Sequence, residues 1–183
     1  MQVFLIRHPR PLISAGICYG QLDVPAEDPA PVAKRLRAVL PADALVLSSP
    51  LSRCRTLAEQ LHPAPRLDPR LMEMNFGEWE GKRWDDIGRA ALDAWAADVL
   101  HHAPPGGESA AAMQARALAC LADLHAEGIP VATIVAHAGI LRALVGHWRG
   151  LAVAEWSQLR FDFGALVGAE LGADGSAQLT PNR

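Results

Sequence analysis

The sequence predicts an α/β fold, a three-layer α/β/α sandwich around a mostly parallel central sheet. Short apolar runs recur at 3–6, 44–49 and 131–137, with the length and composition of buried strands. Each precedes a stretch that reads as helix. Strands alternating with helices in this way cover a parallel sheet on both faces. No repeat and no low-complexity segment interrupts the 183 residues, so a single domain over 1–183 is expected.

The elements follow in order. "VFLI" (3–6) is the first strand and "ALVLSS" (44–49) the second. "PLSRCRTLAEQL" then sets Leu51, Leu57, Ala58 and Leu61 on one helical face. "WDDIGRAALDAWAADVL" (84–100) reads as a further helix, and Pro-Pro-Gly-Gly at 104–107 as a break between helices. "ESAAAMQARALACLADLHAEG" (108–128) is the next helix, with Ser109 as N-cap and Gly128 and Pro130 as its stop. "VATIVAH" (131–137) is the third strand. "GILRALVGHW" after it spaces Leu141, Leu144, Val145 and Trp148 as a helix does. The tail, "SQLRFDF" and "ALVGAEL" joined at Gly164, predicts a hairpin or two neighbouring strands.

Bulk properties narrow the function classes. With 17 basic and 20 acidic residues the formal net charge is −3, which gives no nucleic-acid footprint. Mean hydropathy is +0.09, and no apolar run approaches the length of a membrane span. "MQVFLIRH" lacks a basic leader region, and its apolar stretch is too short for a secretory signal. A cytoplasmic protein with neither nucleic-acid nor membrane partners is therefore expected. Cys18, Cys54 and Cys120 are few, odd in number and widely spaced, and read as reduced thiols. Adjacent His101 and His102 have poor metal spacing and read as exposed loop.

In open α/β sheets ligands bind beyond the carboxyl ends of the strands. The first strand ends at Arg7 and His8. The second leads through Ser49 and Pro50 to Arg53, and the third ends at His137. Any one of these is an ordinary strand-end polar residue. Together, two arginines and two imidazoles on one rim make an anion site, and arginine forks suit phosphate. The usual phosphate chemistries are missing. No cysteine has arginine six positions on, and there is no Asp-x-Asp pair and no Gly-rich phosphate loop. The candidate nucleophile that remains is a histidine.

"LIRH", "SSPLSRCRTLAEQL", "LMEMNFGEWEG", "PPGGES" and "IVAHAGILRAL" together resemble the histidine phosphatase superfamily, the phosphoglycerate mutase-like family. The five blocks stand in the family's order and run from residue 5 to about 144. The resemblance implies a phosphoglycerate mutase-like fold and a role for each matching residue. His8 matches the histidine that is transiently phosphorylated. Arg7 and Arg53 match phosphate clamps, and His137 the second histidine, which donates to the phosphoryl oxygens. Glu73 matches the proton donor. The chemistry wants these types: an imidazole attacks phosphorus, fixed cations hold the charge in flight, and a carboxyl protonates the leaving oxygen. The arginines supply the charge, so no metal and no cofactor are expected. Glu78 and Glu80, which flank Trp79, read as loop or helix-entry acids, and Trp79 and Phe76 as loop packing. Glu108 and Ser109 fit equally a pocket mouth and a helix N-terminus.

The chain also departs from the family. Many members read Arg-His-Gly-Glu-Thr where this one reads Arg7-His8-Pro9-Arg10-Pro11. Pro9 favours an extended backbone at His8, which a strand end already has. Arg10 replaces an acid; it either makes the pocket mouth more positive, as a specificity residue, or pairs at the surface. "AGICYGQLDVP", with candidate specificity residue Tyr19, resembles the branch containing α-ribazole phosphatases of cobalamin nucleotide-loop assembly, as does "HAG". After it, "AEDPAPVAKRL" lacks the family's usual Leu-Thr-x-x-Gly helix start. Residues 82–107 leave little room for the lid of a dedicated mutase, which favours hydrolysis of a small phosphorylated substrate, α-ribazole 5′-phosphate first. A broad or protein-directed histidine phosphatase, a mutase-type phosphotransferase and a non-catalytic phosphate-binding module are the alternatives. Oligomeric state is open between monomer and homodimer.

Overall fold

Strand β1 (Gln2–Arg7) lies between two partners of opposite sense, and this sets the architecture. On one side it runs parallel to β4 (Val131–Ala136), with Leu5 opposite Ile134 and Arg7 opposite Ala136. On the other it runs antiparallel to β5 (Leu166–Leu171), with Leu5 opposite Val167. β2 (Leu45–Ser48) continues the parallel half beyond β4, and the short β3 (Arg66–Leu67) closes that edge. β6 (Ala177–Thr180) pairs antiparallel with β5 at the other edge. The order is β3-β2-β4-β1-β5-β6, a mixed sheet with its parallel part at the site. The computed structural model describes residues 1–172 and 176–180.

Helices cover both faces. Ile6, Val46 and Val135 turn to one face, where α1 (Ala30–Arg37) and α2 (Ser52–Leu61) bring Ala33, Leu36, Cys54, Leu57 and Ala58. Val3, Leu5, Leu47, Ala132 and Ile134 turn to the other. There they meet α4 (Ala110–Ala126) and α5 (Ala138–Trp148). This period-two division is what a strand covered on both faces requires. β1 and β4 thus lie side by side with their following helices, α1 and α5, on opposite faces. Such a switch point opens a crevice beyond the strand ends.

Three expectations change. The stretch 84–100 is not one helix: a 3-10 turn at Trp84–Asp86 is separated from α3 (Arg89–Ala97) by Gly88, whose φ of +91° only glycine adopts easily. α3 buries no residue fully, so nothing in the core forces the two pieces into line. "SQLRFDF" is not a strand. It ends a 3-10 segment (Val153–Gln158) and runs on as irregular chain, and β5 takes β6 as its hairpin partner. After Pro25, where the family's helix start is missing, a helix forms all the same: α1 opens with Pro31 in its first turn, where a missing N–H costs little. Ser109 caps α4 as expected, its Oγ accepting from the Ala112 N–H at 3.3 Å.

Candidate active site

The strand register brings the strand-end residues together. The His8 N–H donates to the Ala136 carbonyl and the Ser49 N–H to that of Val135, both at 3.0 Å. The carboxyl ends of β1, β2 and β4 are thereby laced into one floor. Arg7, His8, Arg53 and His137 all meet there. The rings of His8 and His137 lie 5.1 Å apart between centroids. Above the floor opens a cavity of about 780 Å³, lined among others by Arg7, His8, Tyr19, Glu73, Gly139 and Arg142. Arg53 and His137, both 0% exposed, sit beneath its wall.

His8 is 2% exposed, and its Nδ1 lies 2.6 Å from the Pro9 carbonyl oxygen. A carbonyl only accepts, so Nδ1 carries the proton and Nε2 is left with its lone pair. Burial, chiefly, and then Arg53 and Arg7 push the His8 pKa down to about 3, against the opposing bond to Pro9. His137 is likewise held neutral, well below its usual value, by burial and then by His8 and Arg53. Its Nε2 lies 2.9 Å from Ser49 Oγ and 3.4 Å from Cys54 Sγ. Burial raises the Cys54 thiol's pKa, so it stands there uncharged.

Two buried neutral imidazoles make acid stability a test of this floor. Below pH 6.5 the unfolded chain binds a proton at each position that the folded chain refuses, at His8 down to about pH 3. Stability is therefore expected to fall as pH drops below about 6.5, by ~1.4 kcal/mol per pH unit for each imidazole. Urea midpoints at pH 7 and pH 5 check it, and His137→Gln should flatten the slope. An unchanged slope in that variant contradicts a neutral, buried His137.

The arginines are arranged for an anion. Arg53 donates from Nη1 to the Leu22 carbonyl at 3.0 Å and from Nη2 to that of Gly20 at 2.5 Å. Arg7 donates from Nη1 to the Phe161 carbonyl at 2.7 Å and lies 3.8 Å over the Phe163 ring. Both keep a buried Nε–H with no partner. Among the described residues no carboxylate forms an ion pair with Arg7, Arg53 or Arg142. Buried cationic donors without a counter-charge are costly, and an anion in the cavity answers both needs.

Glu73 faces this site from an irregular segment. Its Oε2 accepts from the Gly139 N–H and its Oε1 from the Met74 N–H, both at 3.0 Å. The first contact sets the carboxyl group at the N-terminus of α5. Gly139 is needed for it: a Cβ there would stand 2.1 Å from Glu73 Oε1. Tyr19 also lines the cavity, under the Arg53 guanidinium at 5.4 Å. Burial raises its phenol's pKa, although Arg7 and Arg53 oppose this. Arg10 does not line the cavity; its Nε lies 3.7 Å from Glu27 Oε1 in an exposed pair.

The remaining acids are structural. Glu80 accepts from the N–H groups of Gln21, Leu22 and Phe76, tying the loop that carries Arg53's acceptors to the segment after Glu73. Glu108 binds Arg116 and the Asn75 N–H rather than opening on the pocket, and Ser109 is a helix cap. Trp79 packs the loop, while Phe76 both packs against Trp84 and Trp95 and lines the cavity. Unforeseen are Arg142, Trp95, Val99, Met113 and Trp156 in the cavity wall. Only Arg142 left a signal, a cation one helical turn beyond Gly139; the others read as ordinary helix residues. Among the described residues no group of His, Cys, Asp and Glu could hold a metal ion, and no helix is long and apolar enough to cross a membrane.

A family model, that of the histidine phosphatase superfamily (branch 1), matches residues 3–182. A protein of Hydrogenobacter thermophilus, provisionally named phosphoserine phosphatase 2, is 28% identical over 172 residues, which covers 88% of this chain and 85% of that protein. A mycobacterial glucosyl-3-phosphoglycerate phosphatase solved with VO3 superposes with a TM-score of 0.81 at 27% identity, over 98% of this chain and 96% of that one. The α-ribazole phosphatase of Shigella flexneri superposes with a TM-score of 0.84 at 27% identity, over 100% and 96%.

Proposed function

This chain belongs to the histidine phosphatase superfamily, branch 1, and from that premise we propose that it is a metal-independent phosphomonoesterase acting through a phosphohistidine at His8. The observation that carries this reading is the neutral, oriented His8 beside half-buried Arg7 and buried Arg53, which form no ion pair among the described residues and each keep a buried Nε–H without a partner. His8 Nε2 attacks phosphorus, the ester P–O bond breaks, and its electron pair leaves on the alcohol oxygen. Glu73 gives that oxygen a proton. In the second half Glu73 takes a proton from water, the water oxygen bonds to phosphorus and the N–P bond breaks. The sum is an alcohol and inorganic phosphate. Arg7, Arg53 and the N–H of His137 hold the phosphoryl oxygens throughout, so that charge in flight meets fixed donors.

For the substrate we propose α-ribazole 5′-phosphate, whose leaving group is α-ribazole. Beyond Glu73 the cavity wall is mostly apolar, with Met74, Phe76, Trp95, Val99, Met113 and Trp156 against the polar Asp98, Arg142 and Ser157. A flat, methylated benzimidazole suits such a wall better than a polyhydroxylated sugar, which would leave its hydroxyls unpaired. Arg142 favours a second reading. It spends its Nε on the Leu159 carbonyl at 3.1 Å and faces the cavity without a carboxylate partner, which fits a leaving group bearing a carboxylate.

A substrate panel decides. Measured kcat/KM should be highest for α-ribazole 5′-phosphate, by about tenfold or more over phosphoserine, 3-phosphoglycerate and glucosyl-3-phosphoglycerate. If a carboxylated ester wins and Arg142→Met removes its advantage, the second reading replaces the first. If no phosphoester is turned over, the phosphatase reading is lost.

A further inference from the structure

Arg116 is a largely buried cation that the proposed chemistry leaves unused. It stands on α4, and all five of its N–H groups are spent. Nη1 donates to the carbonyls of Arg70 and Met72, both at 2.6 Å. Nη2 donates to the Glu73 carbonyl at 3.0 Å and to Glu108 Oε1 at 2.6 Å, and Nε to Glu108 Oε2 at 3.0 Å. Glu108 Oε1 in turn accepts the Asn75 N–H at 2.9 Å. One ion pair thus fixes three carbonyls and one amide across residues 70–75, the segment that presents Glu73.

Its other anchors lie at its two ends: the Arg70, Leu71 and Met72 N–H groups close a 3-10 turn on Asp68 and Pro69, and the Asn75 carbonyl accepts from the Glu108 N–H at 2.9 Å. The Met74 N–H is taken by Glu73's own carboxylate, and the Glu73 carbonyl receives only one further bond, from Gln21 Nε2 at 3.2 Å. No strand ladder holds it. A bidentate guanidinium–carboxylate pair has the fixed geometry needed to aim a loop. We propose that Arg116, locked by Glu108, is the positioning residue for Glu73. It works through the backbone and does not touch the substrate. The inference rests on the phosphatase reading above, with Glu73 as the proton-transfer group.

The test uses the leaving group. p-Nitrophenol departs without a proton, so phosphorylation of His8 by p-nitrophenyl phosphate needs no acid, whereas its hydrolysis still needs a base. Rapid mixing of Arg116→Met with this ester should show a burst near one p-nitrophenolate per enzyme, formed within about threefold of the wild-type rate. The steady state after it should be ~10–100-fold slower, and simple alkyl phosphates should lose at least as much. On a Glu73→Ala background Arg116→Met should cost no more than about threefold, because its effect is already gone.

If Arg116→Met slows the burst as much as the steady state, or multiplies in full onto Glu73→Ala, the positioning role is wrong while the phosphatase reading stands. If the wild type turns over esters with no phosphohistidine, the parent reading falls and takes this one with it. Should Arg116→Met not fold, Glu108→Gln reads the same quantity. It keeps an acceptor for the Asn75 N–H and removes the charge, and the steady state should drop about 3–10-fold with the burst intact.

Discussion

Replacing His8 by alanine is expected to lower kcat by at least ~10⁴-fold on any phosphomonoester the enzyme accepts. The residue presents a neutral imidazole lone pair at the cavity, whereas the Nε2 of the other neutral imidazole, His137, lies 2.9 Å from Ser49 Oγ. What survives the substitution is a site that binds the phosphoryl group without bonding to it. Brief incubation of the wild type with a labelled ester, then denaturation, should leave label on the protein that survives alkali and is lost in acid. His8→Ala should carry none. His8→Asn, which keeps a polar side chain at the same place, should fail in the same way. Retention of full turnover by His8→Ala would sink the proposed route.

Gly139→Ala is expected to separate stability from activity. The new Cβ would lie 2.1 Å from Glu73 Oε1 and 3.0 Å from Cδ, so the carboxylate must move. It is the far end of a flexible side chain and can swing, giving up its bonds from the Gly139 and Met74 N–H groups. The position lies in the first turn of α5, where alanine is favoured over glycine by about 0.5–1 kcal/mol. Tm should therefore hold or rise slightly, while kcat falls ~10²-fold through loss of proton transfer. Thermal unfolding beside a turnover assay reads both. An active Gly139→Ala would mean that the carboxylate is not used where the structure holds it.

The floor was legible in the sequence because it is built from strand ends. An apolar run that stops on Arg7-His8 or on His137 fixes where those residues sit in a parallel sheet, whatever the loops do. The second strand's run into its helix placed Arg53 on the same rim, and the family's blocks then marked Glu73. The cavity wall was not legible in this way. Trp95 and Met113 are indistinguishable in sequence from core residues. They face substrate space because Gly88 breaks the chain before α3 and Gly107 packs against the 75–77 backbone. Glu108 was ambiguous for a related reason: its meaning depends on Arg116, eight residues on, reaching back over the first turns of α4. The tail was misread because "SQLRFDF" alternates like a strand, yet the edge of the sheet is filled by β6.

One contact on the floor fixes a regiochemical outcome. The Pro9 carbonyl ties up Nδ1 of His8, so a phosphoryl group can be received only at Nε2. The covalent enzyme should therefore be the tele isomer of phosphohistidine, with none of the pros isomer. The two differ in phosphorus chemical shift and in recognition by isomer-specific antibodies. The residue that sets this choice is Pro9, whose ring removes its own N–H and leaves its carbonyl free to accept.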